Sequence, residues 1–306
     1  MIVFDYPFYR HTVANNHPNL VSGKAIDEHF LKKYEPGTKI KIIELAEGDV
    51  PGPSSTQDIT VFDYIHNALE KYNVDPDDVE MIHGSFNFDS LYKKWAGDSI
   101  RIGHRTSYGF YFLQEQKKYD SVECNENRSK HFISLNGAIK PKRLEFINFC
   151  KQHDLMHNYI SLVGNYNTTG IEVEPILLDM KQDTLGLSDK LIPPFMNDAY
   201  LNVINETHED DTVFMTEKTW KPILNYQLFL YWGVGNAQNY YNTLLNNGFQ
   251  LYEEIFDYGN DVKDEILKFC NTPIQEVQKK FISVKQKLEY NKQRALEIED
   301  FAYDND

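Results

Sequence analysis

The residues best placed to do chemistry are the run Thr216-Glu217-Lys218-Thr219-Trp220-Lys221-Pro222-Ile223. An acidic loop (His208 to Asp211) and the apolar trio Val213-Phe214-Met215 precede it. That order predicts a short helix capped by Thr216, whose hydroxyl takes a free amide of the first turn. Glu217 and Lys218 then stand beside the positive end of the helix, where anionic groups are commonly held. A carboxylate accepts from ribose hydroxyls while a neighbouring ammonium meets a pyrophosphate, and a nucleotide-sugar needs that combination. The same pair in the first turn of a surface helix is also ordinary solvated charge. Order and context have to decide.

A second stretch, Ser134-Leu135-Asn136-Gly137-Ala138-Ile139-Lys140-Pro141-Lys142-Arg143, supplies that context. His131 to Leu135 reads as a strand, Asn136-Gly137 as a turn, and Pro141 suits the first turn of a helix. Gly137 has no side chain to obstruct a ligand approaching the amides of Asn136 and Gly137, although the pair also makes an ordinary strand-to-helix turn. Arg143, and in competition with it Lys140, puts a cation near the start of that helix. Glu206 ends the strand Tyr200 to Ile204, at the edge where α/β sheets gather ligand-binding residues. It accepts from sugar hydroxyls or caps Thr207-His208. Trp220 and Lys221 are expected to support the Thr216 helix.

Taken together, these two segments resemble the donor domain of α1,3-fucosyltransferases, with its Thr-Glu-Lys motif. They resemble more closely a set of phage and bacterial glycosyltransferase-like proteins. In those, a "Ser-Leu-Asn-Gly…Lys-Pro…Arg" segment precedes a "Thr-Glu-Lys-Thr…Lys-Pro-Ile" segment, as it does here over residues 130–257. The resemblance implies an α/β chain of two Rossmann-like domains (GT-B-like) with a long C-terminal helix packing back across the first domain. Carried over by motif, Arg143 and Lys218 contact the pyrophosphate and Glu217 holds the ribose. Asn136, Gly137, Lys140, Glu206 and Thr216 complete the expected donor site.

The implied reaction passes a sugar from a nucleotide diphosphate to an acceptor hydroxyl, with inversion. The leaving diphosphate gains charge in the transition state, so a cation aimed at it lowers the barrier. Lys218 is the first choice for that role. Inversion also needs a general base, usually from the first domain. Asp5, His11, Glu44, His83 and His104 lie at expected strand ends, and His83 is preferred because His83-Gly84-Ser85 closes a strand with room for a ligand. The acceptor is a glycan or, given the phage relatives, a hydroxymethylated pyrimidine in DNA. Fucosyltransferases favour Gly-x-x-Pro after this helix where the chain has Asn225-Tyr226-Gln227-Leu228-Phe229, so the donor sugar stays open. The alternative from another class is a non-catalytic nucleotide-sugar-binding or assembly protein that retains the fold.

Elements able to position these residues are visible around them. The chain has 306 residues, enough for two domains with real cores, and 41% hydrophobic content with 14% aromatics excludes a disordered protein. Strand-like runs at Ile2-Val3-Phe4, Lys39 to Leu45, Val79 to His83, Ile100 to Gly103 and Phe110 to Leu113 alternate with helical ones, the pattern of a parallel sheet. A boundary in the polar stretch Glu123 to Lys130 divides the chain into 1–127 (acceptor side), 128–273 (donor side) and a helix in 274–306. In that helix Val277, Phe281, Val284 and Leu288 share one face.

The net charge of −15 argues against a broad nucleic-acid surface without excluding one basic groove. Three widely spaced cysteines read as reduced intracellular thiols. No signal or membrane-spanning stretch is visible, so a cytoplasmic protein is expected, in the host cell if viral. No Asp-x-Asp follows an apolar strand; Asp75-Pro76-Asp77 reads as a turn, and neither a metal nor a cofactor is expected. The run Glu209-Asp210-Asp211 reads as solvated loop.

Overall fold

The computed structural model describes residues 2–5, 34–44, 66, 69–83, 103–106, 122–164, 167–178, 194–206, 215–233 and 237–298. The chain is mixed α/β with parallel sheets and divides into two compact units, 1–111 with 300–306, and 112–299.

In the first unit, β1 (Ile2–Asp5), β2 (Ile40–Glu44), β3 (Val79–His83) and β4 (Gly103–Thr106) form one parallel sheet in sequential order. The last strand begins at Gly103, where a strand over 100–103 was expected to end. The expected strand at 110–113 lies outside the described residues, as do most of the helical runs expected between the strands of this half. Asp75-Pro76-Asp77 is the turn the sequence implies: Asp75 caps the short 3-10 turn Pro76–Asp78, accepting from the Asp77 amide at 3.0 Å. The Asp78 carboxylate then accepts from the Tyr34 hydroxyl, the Gly37 amide and the Lys39 ammonium at 2.8, 2.7 and 3.0 Å. One buried acid thus ties the chain entering β2 to the chain entering β3.

The second unit carries β5 (Lys130–Asn136), β6 (Tyr159–Leu162), β7 (Ala199–Ile204) and β8 (Leu228–Tyr231), all parallel in the order β6-β5-β7-β8. Every residue of β7 and β8 is buried, as near-continuous apolar runs require when both faces are covered. The covering helices include α1 (Pro141–Gln152), α2 (Glu217–Leu224), α3 (Ala237–Asn246) and α4 (Val262–Cys270). Pro141 opens α1, where its missing N–H costs nothing. Gly248 stops the chain after α3 with φ +82°, a backbone state that favours glycine. All three cysteines are free thiols, and burial pushes Cys150 and Cys270 up to about 12.

The expected C-terminal helix is present as two, α5 (Ile274–Ser283) and α6 (Lys285–Glu297). They meet at Val284, where a tight turn bonds the Val284 amide to the Phe281 carbonyl at 3.3 Å and re-aims the chain. The face read from spacing is the buried one: Val277, Phe281, Val284 and Leu288 are all in the core. Its described contacts are made within the second unit. Asn291 clasps the Gln250 backbone in both directions at 2.8 Å, and Lys292 donates to the Val122 carbonyl at 2.6 Å.

The units divide at 111/112, earlier than the expected boundary at 127/128. The stretch before the expected boundary is itself fastened to the second unit, with Asn125 donating to the Asn197 carbonyl at 2.8 Å and Gln278 to the Glu126 carbonyl at 3.2 Å, and the attachment is completed by Arg128. Its buried guanidinium donates to the carbonyls of Asn125, Met196, Ala199, Asn225 and Tyr226 at 2.7 to 3.2 Å and lies 4.8 Å from the Phe281 ring. Burial lowers it to about 10. A stretch polar enough to read as a linker is therefore an anchor of the second unit.

Candidate functional site

Strand order reverses between β5 and β7: the chain leaves β5 for β6 on one side and returns to β7 on the other. Ligands of open α/β sheets bind outside the carboxyl ends of strands at such a reversal. Here the two inner strands also part. Their ladder stops at Ile133↔Asn202, whereas β5 stays paired with β6 to Asn136↔Leu162, and β7 with β8 to Ile204↔Tyr231. Ser134 spans the start of the gap, its hydroxyl donating to the Val203 carbonyl at 2.9 Å. Carrying the register forward brings Asn136 opposite Asn205.

Helix α2 starts beside this opening, and the sequence explains how it is fixed. Thr216 is the cap, its hydroxyl accepting from the Lys218 amide at 3.3 Å. Glu206, just past β7, reaches across to the same turn. Its Oε1 accepts from the Thr216 amide and the Thr219 hydroxyl, both at 2.9 Å, and its Oε2 from the Thr216 hydroxyl at 2.6 Å. The Thr219 hydroxyl also shares a hydrogen bond with Tyr240 of α3 at 2.9 Å. Tyr240 in turn stacks on Tyr231, with ring centres 4.3 Å apart. A strand end, a helix start and a second helix are thus joined by one buried carboxylate.

The ionic arrangement sits on that frame. Lys218 Nζ donates to Glu217 Oε1 at 2.9 Å and lies 3.9 Å from Glu206 Oε2. Arg143, buried at the start of α1, donates to the carbonyls of Ala138, Asn205 and Glu206 at 3.2 to 3.5 Å, so it ties together the loops that follow β5 and β7. Burial alone favours a neutral Glu217, but the charge and hydrogen bond of Lys218, with Lys221 beyond it, hold the carboxyl at about 2. For Lys218, burial works against its charge and is outweighed by Glu217 and Glu206, which raise it. Burial dominates at Glu206 and raises its carboxyl. Glu217 Oε2 is buried without a hydrogen-bond partner.

These opposite shifts give a test of the electrostatics. Between the ordinary glutamate value of about 4.5 and about 2, the unfolded chain binds a proton at Glu217 that the folded chain does not. The stability Glu217 contributes is therefore complete above pH 4.5 and lost on acidification towards pH 2. Melting temperature plotted against pH should fall less steeply below pH 4.5 in Glu217→Gln than in the unaltered protein. Parallel curves would mean that the Lys218 pair does not hold this carboxyl down.

The structure brings together Arg143, Glu206, Thr216, Glu217 and Lys218, while Asn136 ends β5 and bonds Ser134 and Ser161. Gly137 is in the loop after β5, and its carbonyl accepts from the Gly164 amide at 2.9 Å, so this turn also extends the pairing with β6. Lys140 is the residue before α1 and provides no side-chain cap. Trp220 and Lys221 are buried supports of α2, as expected. The Glu206 oxygens are engaged by the first turn of α2, while Thr207-His208, the residues it was expected to cap, lie outside the described residues. His83 ends β3, with Glu44 paired beside it and Thr106 on its other side. Asp5 ends β1 and His104 lies within β4, while His11 and the acidic run 209–211 are outside the described residues.

Sequence reasoning passed over Asn205, Thr219 and Tyr240. Thr219 had a signal, standing three residues after Thr216 on the same side of the helix. Asn205 adjoined a residue that was noticed. Tyr240 had none, since a tyrosine within an apolar helix face reads as core. Among the described residues, no group of three His, Cys, Asp or Glu side chains is placed to hold a metal ion, and no helix is long and apolar enough to cross a membrane. Comparison with protein-family models, curated proteins and solved structures finds no match to this chain.

Proposed function

We propose that the chain is a glycosyltransferase of the two-Rossmann-domain kind. The second unit would bind a nucleotide-diphosphate sugar and the first would carry the acceptor side. One observation carries the reading: Glu217 and Lys218 open a helix beside the carboxyl ends of β5 and β7, where strand order reverses. A cation and a carboxylate with one unpartnered oxygen then stand together at a helix start, the place where a diphosphate and a ribose would be held. Lys218 takes the charge that develops on the leaving diphosphate, and Glu217 accepts from the ribose. Arg143 and Glu206 are positioning residues in this reading, because their polar atoms hold the loops and α2. His83, at the carboxyl edge of β3, is the proposed base for a glycan hydroxyl or a hydroxymethylated pyrimidine. No metal is assigned a part.

A thermal-shift series with UDP, GDP, CDP and their sugars tests the donor site. A ligand at a hundred times its dissociation constant stabilises the fold by about 2.7 kcal/mol, a rise of about 5 °C or more in melting temperature. No shift with any of them would sink the donor site. One feature favours a second reading, a nucleotide-sugar-binding or assembly protein without turnover: Lys218 is already held by two carboxylates. A ligand that shifts melting while no sugar is transferred or released would select it.

A further inference from the structure

We infer that Asn136 and Asn205 form a hydroxyl-binding subsite between the parted carboxyl ends of β5 and β7. The inference rests on reading the second unit as a nucleotide-sugar site and names the group that this part of it recognises. Both side chains belong to the walls of the gap, at 1% and 3% exposure. Each keeps one amide atom without a partner, Oδ1 of Asn136 and Nδ2 of Asn205. Buried polar groups are nearly always satisfied, so two unpartnered atoms at the carboxyl ends of neighbouring strands require a physical account.

The orientation of Asn136 follows from its neighbours. Its Nδ2 donates to the Ser134 hydroxyl oxygen at 3.3 Å and, more weakly, towards the Ser134 carbonyl at 3.5 Å. The Ser134 hydroxyl spends its own proton on the Val203 carbonyl, so both atoms facing Nδ2 are acceptors. Turning the amide over would set Oδ1 against two acceptors. Oδ1 is therefore the atom left over, and it can only accept. In the orientation of the structure the unpartnered Asn205 atom is the amide nitrogen, a donor. A group that donates to one and accepts from the other is a hydroxyl, whether of the ribose or of the transferred sugar. Arg143 holds the Asn205 carbonyl at 3.4 Å and so fixes that wall.

The test is a coupling measurement on the full chain, by titration calorimetry. The probes are the nucleoside diphosphate that stabilises the protein, its 2′-deoxy and 3′-deoxy forms, and its sugar conjugate. In the unaltered protein, loss of the recognised hydroxyl should weaken binding about tenfold. In Asn205→Ala and Asn136→Ala that difference should shrink to less than about twofold, because the partner is gone from both arms. Ribose recognition shows as a lost deoxy effect, and sugar recognition as a lost advantage of the conjugate over the diphosphate. Asn205→Asp keeps the shape and removes the donor, and it should behave like the alanine variant if that one folds poorly. Variants that discriminate as well as the unaltered protein overturn the subsite. An unaltered protein that binds none of the nucleotides fails the donor-site reading itself, and the subsite with it.

Discussion

Turnover of a nucleotide-sugar should fall by about a hundredfold or more in Lys218→Ala, the usual cost of removing one preorganised electrostatic contact. Geometry makes this substitution harder to interpret than a surface change. Lys218 begins a helix whose remaining turns are buried, and its own side chain is only 15% exposed. With the ammonium gone, Glu217 and Glu206 are two buried carboxylates that have lost their nearest counter-charge. Breaking a buried pair in this way costs about 3 to 5 kcal/mol in stability. A loss of turnover is therefore expected together with a lower melting temperature, and the two have to be separated.

The double variant Lys218→Ala, Glu217→Gln separates them. It removes one of the stranded charges, so melting should recover in part while turnover stays low. Lys218→Arg should restore some of both, because a planar guanidinium keeps the charge but does not occupy the place of a compact ammonium. The measurements are kcat, KM and melting temperature for the three variants. If turnover recovers in step with melting in the double variant, Lys218 acts through the fold alone. The diphosphate role then falls.

How much of this was legible in the sequence depends on the range of the interaction. The strands at Ile2, Ile40, Val79, Lys130 and Ala199 were visible because apolar runs bounded by turn residues are local signals. The Thr216 cap was visible for the same reason: hydroxyl, first turn and amide all lie within three residues. Val277, Phe281, Val284 and Leu288 declared a buried face, but the bend at Val284 left no mark, since the periodicity runs straight through it. Arg128 shows the opposite case. A polar stretch with a lone arginine reads as linker, and only the meeting of five carbonyls from separate segments makes it an anchor. Glu206 was noticed for its place at a strand end, yet its partners come from ten and thirteen residues further on, across a loop. Spacing carries no information about that closure.

Glu206→Ala should lower the melting temperature by on the order of 10 °C, a stability effect to set beside the loss of turnover at Lys218. The side chain is fully enclosed, and removing it strands the Thr216 amide, the Thr216 hydroxyl and the Thr219 hydroxyl. Hydrogen bonds to a charged group contribute about 1.5 to 3 kcal/mol each, and their losses in one network overlap, so about 4 kcal/mol is a reasonable total. A unit of this size melts about 2 to 4 °C lower per kcal/mol lost. Glu206→Gln should fall between the two proteins. Oε1 and its two donors survive, while an amide nitrogen replaces Oε2 against the Thr216 hydroxyl, which can rotate to accept.

The pH dependence separates charge from shape at this position. Burial raises the Glu206 carboxyl, so above about pH 4.5 the folded chain keeps a proton that the unfolded chain has released. Its contribution to stability is greatest below pH 4.5 and declines as pH rises through the raised value, the reverse of Glu217. Glu206→Gln cannot titrate, so that decline should be missing from its melting curve. Nucleotide affinity should also drop in Glu206→Ala, since the turn that presents Glu217 and Lys218 is no longer fastened to β7. A Glu206→Ala protein that melts within about 2 °C of the original would show that α2 is fixed without the carboxylate. In that case the bonds to Thr216 and Thr219 accompany the fold without holding it.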